Sequence, residues 1–107
     1  MSRLVEILYF DDCPNWPTAA SAVDRAAREL GVAVDIRLER VGSEDEAERL
    51  RFLGSPTVRV DGRDVEPGAE ERRDFALACR VYRTDEGFAG LPPEGWIRAA
   101  LVQQRLE

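Results

Sequence analysis

The sequence predicts an α/β fold with elements in the order β-α-β-α-β-β, followed by an extra segment and a last helix. Three observations carry this expectation. Leu4, Ile7, Leu8, Tyr9 and Phe10 form an apolar run suited to a strand buried on both faces, and a helix-periodic stretch follows it. Val32 to Glu39 then alternates apolar and polar residues, so one helix joins two strands. Asp61-Gly62, set between short alternating runs, is a two-residue hairpin signal. The length of 107 residues suits a single domain, 1–107, with one core.

Residues 3–10 are expected to be the central strand. Over Thr18 to Leu30, Ala19, Ala22, Val23, Ala26, Ala27 and Leu30 recur on one helical face, and Asp24, Arg25, Arg28 and Glu29 fill the other. Gly31 is placed to cap that helix. In the next strand Val32, Val34, Ile36 and Leu38 make a buried face, and the wetter face suits a position away from the sheet centre. Two strands joined through a helix lie parallel with a right-handed crossover, so residues 3–39 read as a βαβ unit. Ser43 and Glu46 form a capping-box pattern ahead of a short helix with the stripe Ala47, Leu50 and Leu53, stopped by Gly54. After Ser55-Pro56-Thr57, Val58 and Val60 lead into the hairpin, and Arg63, Asp64 and Val65 return antiparallel.

Beyond a charged, glycine-containing loop from Glu66 to Asp74 the pattern is less decisive. Phe75, Leu77, Cys79 and Val81 alternate with Ala76, Ala78, Arg80 and Tyr82, which fits an extra strand over 75–83 with a helix as the alternative. Gly87, Gly90, Pro92 and Pro93 mark irregular chain. Trp96, Ile97, Ala100, Leu101 and Gln104 then sit at helical spacing, with Pro93 near the first turn.

Composition excludes several function classes. Fifteen Arg and no Lys stand against 21 acidic residues, and the formal charge of -6 argues against general affinity for nucleic acid or an anionic membrane. Arg3 and Glu6 interrupt the first apolar run, which is too short for a signal or a membrane helix, so a small cytoplasmic protein is expected. Two cysteines make no structural disulfide framework, and the absence of His removes the usual zinc-ligand spacings and the Cys–His and Ser–His–Asp nucleophiles.

Cys13 follows the first strand in Asp11-Asp12-Cys13-Pro14-Asn15-Trp16 and precedes the first helix. A strand-to-helix junction leaves unpaired backbone N–H groups that favour a thiolate, whereas neighbouring Asp11 and Asp12 oppose it; a buried, unreactive cysteine is the plainer reading. Cys79 reads first as a core cysteine, because it alternates with Phe75, Leu77 and Val81, and second as a resolving thiol. Arg80 and Arg83 near it are able to lower a thiol pKa or bind an anionic thiol substrate. Trp16 and Tyr9 read as packing or as walls of a substrate groove. The acidic run Glu44 to Glu48 suits a solvated helix start.

The element order, with Cys13-Pro14-Asn15-Trp16 after the first strand and Ser55-Pro56-Thr57 before the third, resembles the thioredoxin/glutaredoxin-like superfamily and, within it, small bacterial thioredoxin-like proteins. The resemblance covers residues 3–65 and the last helix. It implies a three-layer α/β/α fold with a central four-stranded mixed sheet, and 66–92 as an insertion before the last helix. It also implies that Cys13 is the nucleophile, that Pro56 is a cis-proline touching substrate backbone beside Ser55 and Thr57, and that no cofactor is needed. Trp16 stands where a dithiol site has its second cysteine.

Three functions follow as expectations. The first is a thiol–disulfide redox protein in which Cys13 attacks, Cys79 resolves, Trp16, Ser55, Pro56 and Thr57 line the substrate site, and the partner is a protein or low-molecular-weight thiol or disulfide. The second is a non-enzymatic binding module of the same fold. The third is soft-metal or organomercurial handling by Cys13, Cys79 and Asp11 or Asp12.

Overall fold

A computed structural model describes residues 2–103. The chain forms a compact α/β protein: β1 (Arg3–Tyr9), α1 (Trp16–Leu30), β2 (Val34–Arg40), α2 (Glu44–Arg49), β3 (Thr57–Val60), β4 (Arg63–Asp64), β5 (Tyr82–Thr84), β6 (Gly87–Ala89) and α3 (Glu94–Val102). Four strands make a mixed sheet in the order β2-β1-β3-β4, in which β1 and β2 are parallel and both the β1–β3 and β3–β4 pairs are antiparallel. β5 and β6 form a separate hairpin.

β1 is central because its apolar run supplies both of its faces. Alternate side chains of a strand point to opposite faces. Val5 and Ile7 accordingly join Ala19, Val23, Ala26 and Ala27 of α1, Val58 and Val60 of β3, and Ile97 and Leu101 of α3 in one buried cluster. Leu8 joins Val41, Ala47 and Phe52 in a second.

Several boundaries differ from the sequence pattern for local reasons. α1 starts at Trp16, two residues before Thr18, because a proline in the first turn lacks only an N–H that has no intrahelical partner there. Its C-terminus is capped by Gly31 at φ 69°, whose N–H reaches Ala27 and Arg28. β2 begins at Val34 and not Val32, and lies at the sheet edge; the first cluster covers Val34 and Ile36, while Leu38 is 50% exposed. α2 keeps the expected cap, with the Glu46 N–H donating to Ser43 Oγ at 3.1 Å, but the Glu46 carboxylate accepts from Gly42 N–H. It ends at Arg49, short of Leu50 and Leu53, because Arg51 turns left-handed at φ 56° and delivers Phe52 into the second cluster.

Asp61 and Gly62 both take positive φ, 51° and 86°, as a tight hairpin between antiparallel strands requires. Val65 lies beyond β4, although its N–H still donates to Val58 at 3.0 Å. A short 3-10 turn, Ala69–Glu71, interrupts the following loop.

The expected extra strand, and the alternative helix, over 75–83 are not formed. Residues 75–81 are irregular apart from one isolated bridge at Cys79, and β5 begins only at Tyr82. Leu77 still packs against the second cluster, but over 79–82 the inside and outside are reversed: Arg80 and Tyr82 are buried, whereas Cys79 is exposed and Val81 is 59% exposed. Arg80 takes the interior because carboxylates, a hydroxyl and an aromatic ring meet it there, which a pattern of apolar residues does not register. In α3, Trp96 and Ala100 are partly buried against the first cluster, Pro93 immediately precedes the helix, and Gln104 lies outside the described residues. Among the described residues no helix is long and apolar enough to cross a membrane.

Candidate functional site

The C-terminal end of β1 and the N-terminal end of β3 meet through the pairing of Leu8 with Thr57. Pro56 and Ser55 immediately precede Thr57, and two residues beyond Leu8, at Phe10, the chain turns toward Cys13. The turn is closed by the Cys13 N–H donating to Phe10 at 3.1 Å. Cys13 is 3% exposed, and its Sγ accepts the Asn15 N–H at 3.4 Å. The junction thus supplies a backbone donor to the sulfur immediately before α1.

Asp11 and Asp12 are both exposed. Arg40 at the end of β2 pairs with the Asp11 carboxylate, Nη2 to Oδ2 at 2.7 Å. This hydrogen bond holds the Asp11 carboxyl below its ordinary range. One of the two negative charges on the Cys13 turn therefore has its own cation. Trp16 stacks on Tyr9, ring centroids 4.5 Å apart at 27°, and packs against the first cluster. Its ring occupies the third position after Cys13 as packing against the sheet.

The Ser55–Pro56 peptide is cis, and Ser55, Pro56 and Thr57 are all buried. Backbone and hydroxyl groups around this bond are tied to the inserted segment. Ser55 N–H donates to Ala78 at 2.8 Å, and the Arg80 N–H donates to Ser55 at 2.9 Å, which makes the parallel bridge between Ser55 and Cys79. Tyr82 Oη donates to the Pro56 carbonyl at 2.5 Å, and Thr57 Oγ1 donates to the Gly54 carbonyl at 2.6 Å. Burial in this setting raises the Tyr82 phenol well above its ordinary value. Ser55 Oγ is buried with no hydrogen-bond partner among the described residues.

Arg80 organises this region. Its guanidinium donates to Thr57 Oγ1 at 3.1 Å, to both oxygens of Asp64 at 2.8 and 3.1 Å, and to Glu66 at 2.9 Å. It also lies over the Tyr82 ring, 4.3 Å from the centroid. Gly54 permits the approach: at φ 115° an added Cβ would fall 2.9 Å from Arg80 Cβ and 3.1 Å from the Ala78 carbonyl. At the far end of the insertion, Asn15 Nδ2 donates to Gly90 at 3.5 Å, so the insertion touches the Cys13 turn as well.

Of the sequence candidates, Cys79 is bridged to Ser55 beside Pro56 and Thr57, Cys13 stands on the turn after β1, and Trp16 begins α1. Cys79 is not a core residue; its backbone is held by Ser55 while its side chain is exposed. Both thiols are free. Among the described residues no group of three His, Cys, Asp or Glu side chains is placed to hold a metal, so Cys13, Cys79 and Asp11 or Asp12 do not make such a group. Gly54, Asn15, Tyr82 and Gly90 have roles that sequence reasoning did not assign, and Arg80 one that it did not foresee. The available signals were the Gly54-Ser55-Pro56 turn and an arginine inside an apolar alternation. Comparison of the chain with protein-family models, curated proteins and solved structures gives no match.

Proposed function

We propose that this chain is a thioredoxin-like thiol–disulfide exchange protein of three-layer α/β/α form, with Cys13 as the attacking thiol and Cys79 as the resolving thiol. The observation that carries the reading is the Asn15 N–H aimed at Cys13 Sγ where the central strand gives way to α1. A sulfur that becomes negatively charged during exchange needs such a donor. The order β2-β1-β3-β4 and the separate clusters around Ile7 and Leu8 support the layered form.

In the exchange step the Cys13 thiolate attacks one sulfur of R–S–S–R. A Cys13–S–S–R bond forms, the original S–S bond breaks, and R–S⁻ leaves and takes a proton from water. The Cys79 thiolate then attacks the Cys13 sulfur of the mixed disulfide, a Cys13–S–S–Cys79 bond forms, the Cys13–S–S–R bond breaks, and the remaining R group leaves as thiolate. One disulfide is reduced and one dithiol oxidised.

The test is consumption of a small disulfide by the reduced protein, followed by mass mapping of both cysteines. Cys13→Ser should abolish exchange at position 13, and Cys79→Ser should leave a Cys13 mixed disulfide that accumulates. The 3% exposure of Cys13 favours a second reading, a binding module in which Cys13 only packs. That reading requires Cys13 to stay unmodified while the exposed Cys79 reacts to completion.

A further inference from the structure

We infer that residues 78–80, bridged to Ser55, close the Ser55–Pro56 turn to polypeptides, so that Cys13 exchanges with low-molecular-weight disulfides. This rests on the thiol-exchange reading of Cys13 and names the substrate class for it. An extended peptide is captured at a sheet edge or a neighbouring loop by pairing its backbone with free N–H and C=O groups. At this turn those groups are already used.

The carbonyl of Gly54 accepts from Thr57 Oγ1, that of Ser55 from the Arg80 N–H, and that of Pro56 from Tyr82 Oη. The Ser55 N–H donates to Ala78, and Pro56 has none to offer. The covering segment is pinned from behind: the Arg80 side chain is 1% exposed and ion-paired through its two Nη atoms to Asp64 and Glu66, so lifting residues 78–80 means extracting a buried, ion-paired guanidinium. Gly90 closes on Asn15 from the other end of the insertion. A peptide disulfide would have to displace this segment to lie beside Pro56. A small disulfide needs only an approach to one sulfur, which then joins Cys13 as its partner leaves as the thiolate.

The experiment gives reduced wild-type protein either bis(2-hydroxyethyl) disulfide or the disulfide-linked dimer of an unstructured cysteine-containing peptide. Each rate of Cys13 oxidation, as adduct or as Cys13–Cys79 disulfide, is read by peptide mass mapping and divided by the rate of free 2-mercaptoethanol with the same disulfide. The expected normalised rate is about tenfold or more higher for the small disulfide. A smaller ratio overturns the inference and leaves thiol exchange standing; no oxidation of Cys13 by either disulfide overturns both. In Arg80→Ala, checked for folding by circular dichroism, the peptide rate should rise toward that of the small disulfide. An unchanged ratio in the folded variant removes the covering role from 78–80, and if the variant does not fold the wild-type ratio decides.

Discussion

The sheet and its helices, residues 3–65 with α3, are held together differently from the inserted segment 66–92. In the first region Val5, Ile7, Leu8, Val23, Phe52 and Val58 are buried among other apolar side chains, each contributing about 1.5–3 kcal/mol by leaving water. That attraction has no direction, so losing one methyl group weakens the core without disorganising it. In the second region the large buried side chains are Arg80 and Tyr82. Their burial is tolerable only while Asp64, Glu66, Thr57 and the Pro56 carbonyl are in place to receive them. One region of the molecule is stabilised by sums, the other by a network of specific partners.

The largest expected effect comes from removing the centre of that network. Arg80→Ala leaves the Asp64 and Glu66 carboxylates mostly buried without this cation, a loss of about 3–5 kcal/mol when one partner of a buried pair is removed. Ile7→Val, in the heart of the apolar cluster, should cost only about 0.5–1.5 kcal/mol. Urea unfolding of the two variants checks this, and equal costs would erase the distinction between the regions.

The same distinction explains what was legible in the sequence. Apolar periodicity gave β1, α1, the edge strand and the Asp61-Gly62 hairpin, because burial of Val5, Ile7, Ala19 and Val23 follows from local spacing alone. Cys13 stood out by its place at a strand-to-helix junction, and Ser55-Pro56-Thr57 only through the resemblance that its position before the third strand carries. Arg80 was not, since its partners Asp64 and Glu66 lie 16 and 14 residues away and no local pattern reports them. The alternation of Phe75, Leu77, Cys79 and Val81 held as far as Leu77, which packs against the second cluster, and then failed at Cys79 and Val81, which are exposed. The contact of Asn15 with Gly90, 75 residues apart, was equally beyond local reading.

Gly54→Ala attacks the seam between the two regions. The new methyl group would stand 3.0 Å from Arg80 Cα and 2.9 Å from its Cβ, at a φ of 115° that side chains avoid. Overpacking of this kind costs about 1–3 kcal/mol. Hydrogen exchange should show lost protection at the amides of Ser55 and Arg80, with the amides of β1 unchanged. At Gly62, where φ is also positive but an added methyl group would meet nothing within 4 Å, the same substitution should leave those two amides protected.

Tyr82 offers a third, smaller test. Desolvation raises its folded-state pKa, so its contribution is present below the ordinary phenol value and is lost as pH rises past it. With no Lys in the chain, few other side chains titrate in that range. Above a pH of about 10, stability should fall by up to about 1.4 kcal/mol per pH unit on this account. Tyr82→Phe should start lower, through loss of the bond to Pro56, and decline less steeply; a parallel decline in urea titrations would assign the alkaline effect elsewhere.

The smallest effect belongs to Arg40 and Asp11, and it isolates burial as the cause. This pair has the same chemistry as Arg80 with Asp64 and comparable N–O distances, 2.7 against 2.8 Å, but both side chains are more than half exposed. Water and salt screen such a pair, and its two long side chains lose freedom when fixed. Arg40 lowers the Asp11 pKa, so any contribution is present above the ordinary carboxylate range and disappears as pH falls through it. Arg40→Gln should therefore leave the urea midpoint at neutral pH unchanged within error, and should remove only a slight salt-sensitive dependence in acid. A loss approaching that of Arg80→Ala would mean that charge pairing alone, and not its removal from water, sets the inserted segment apart.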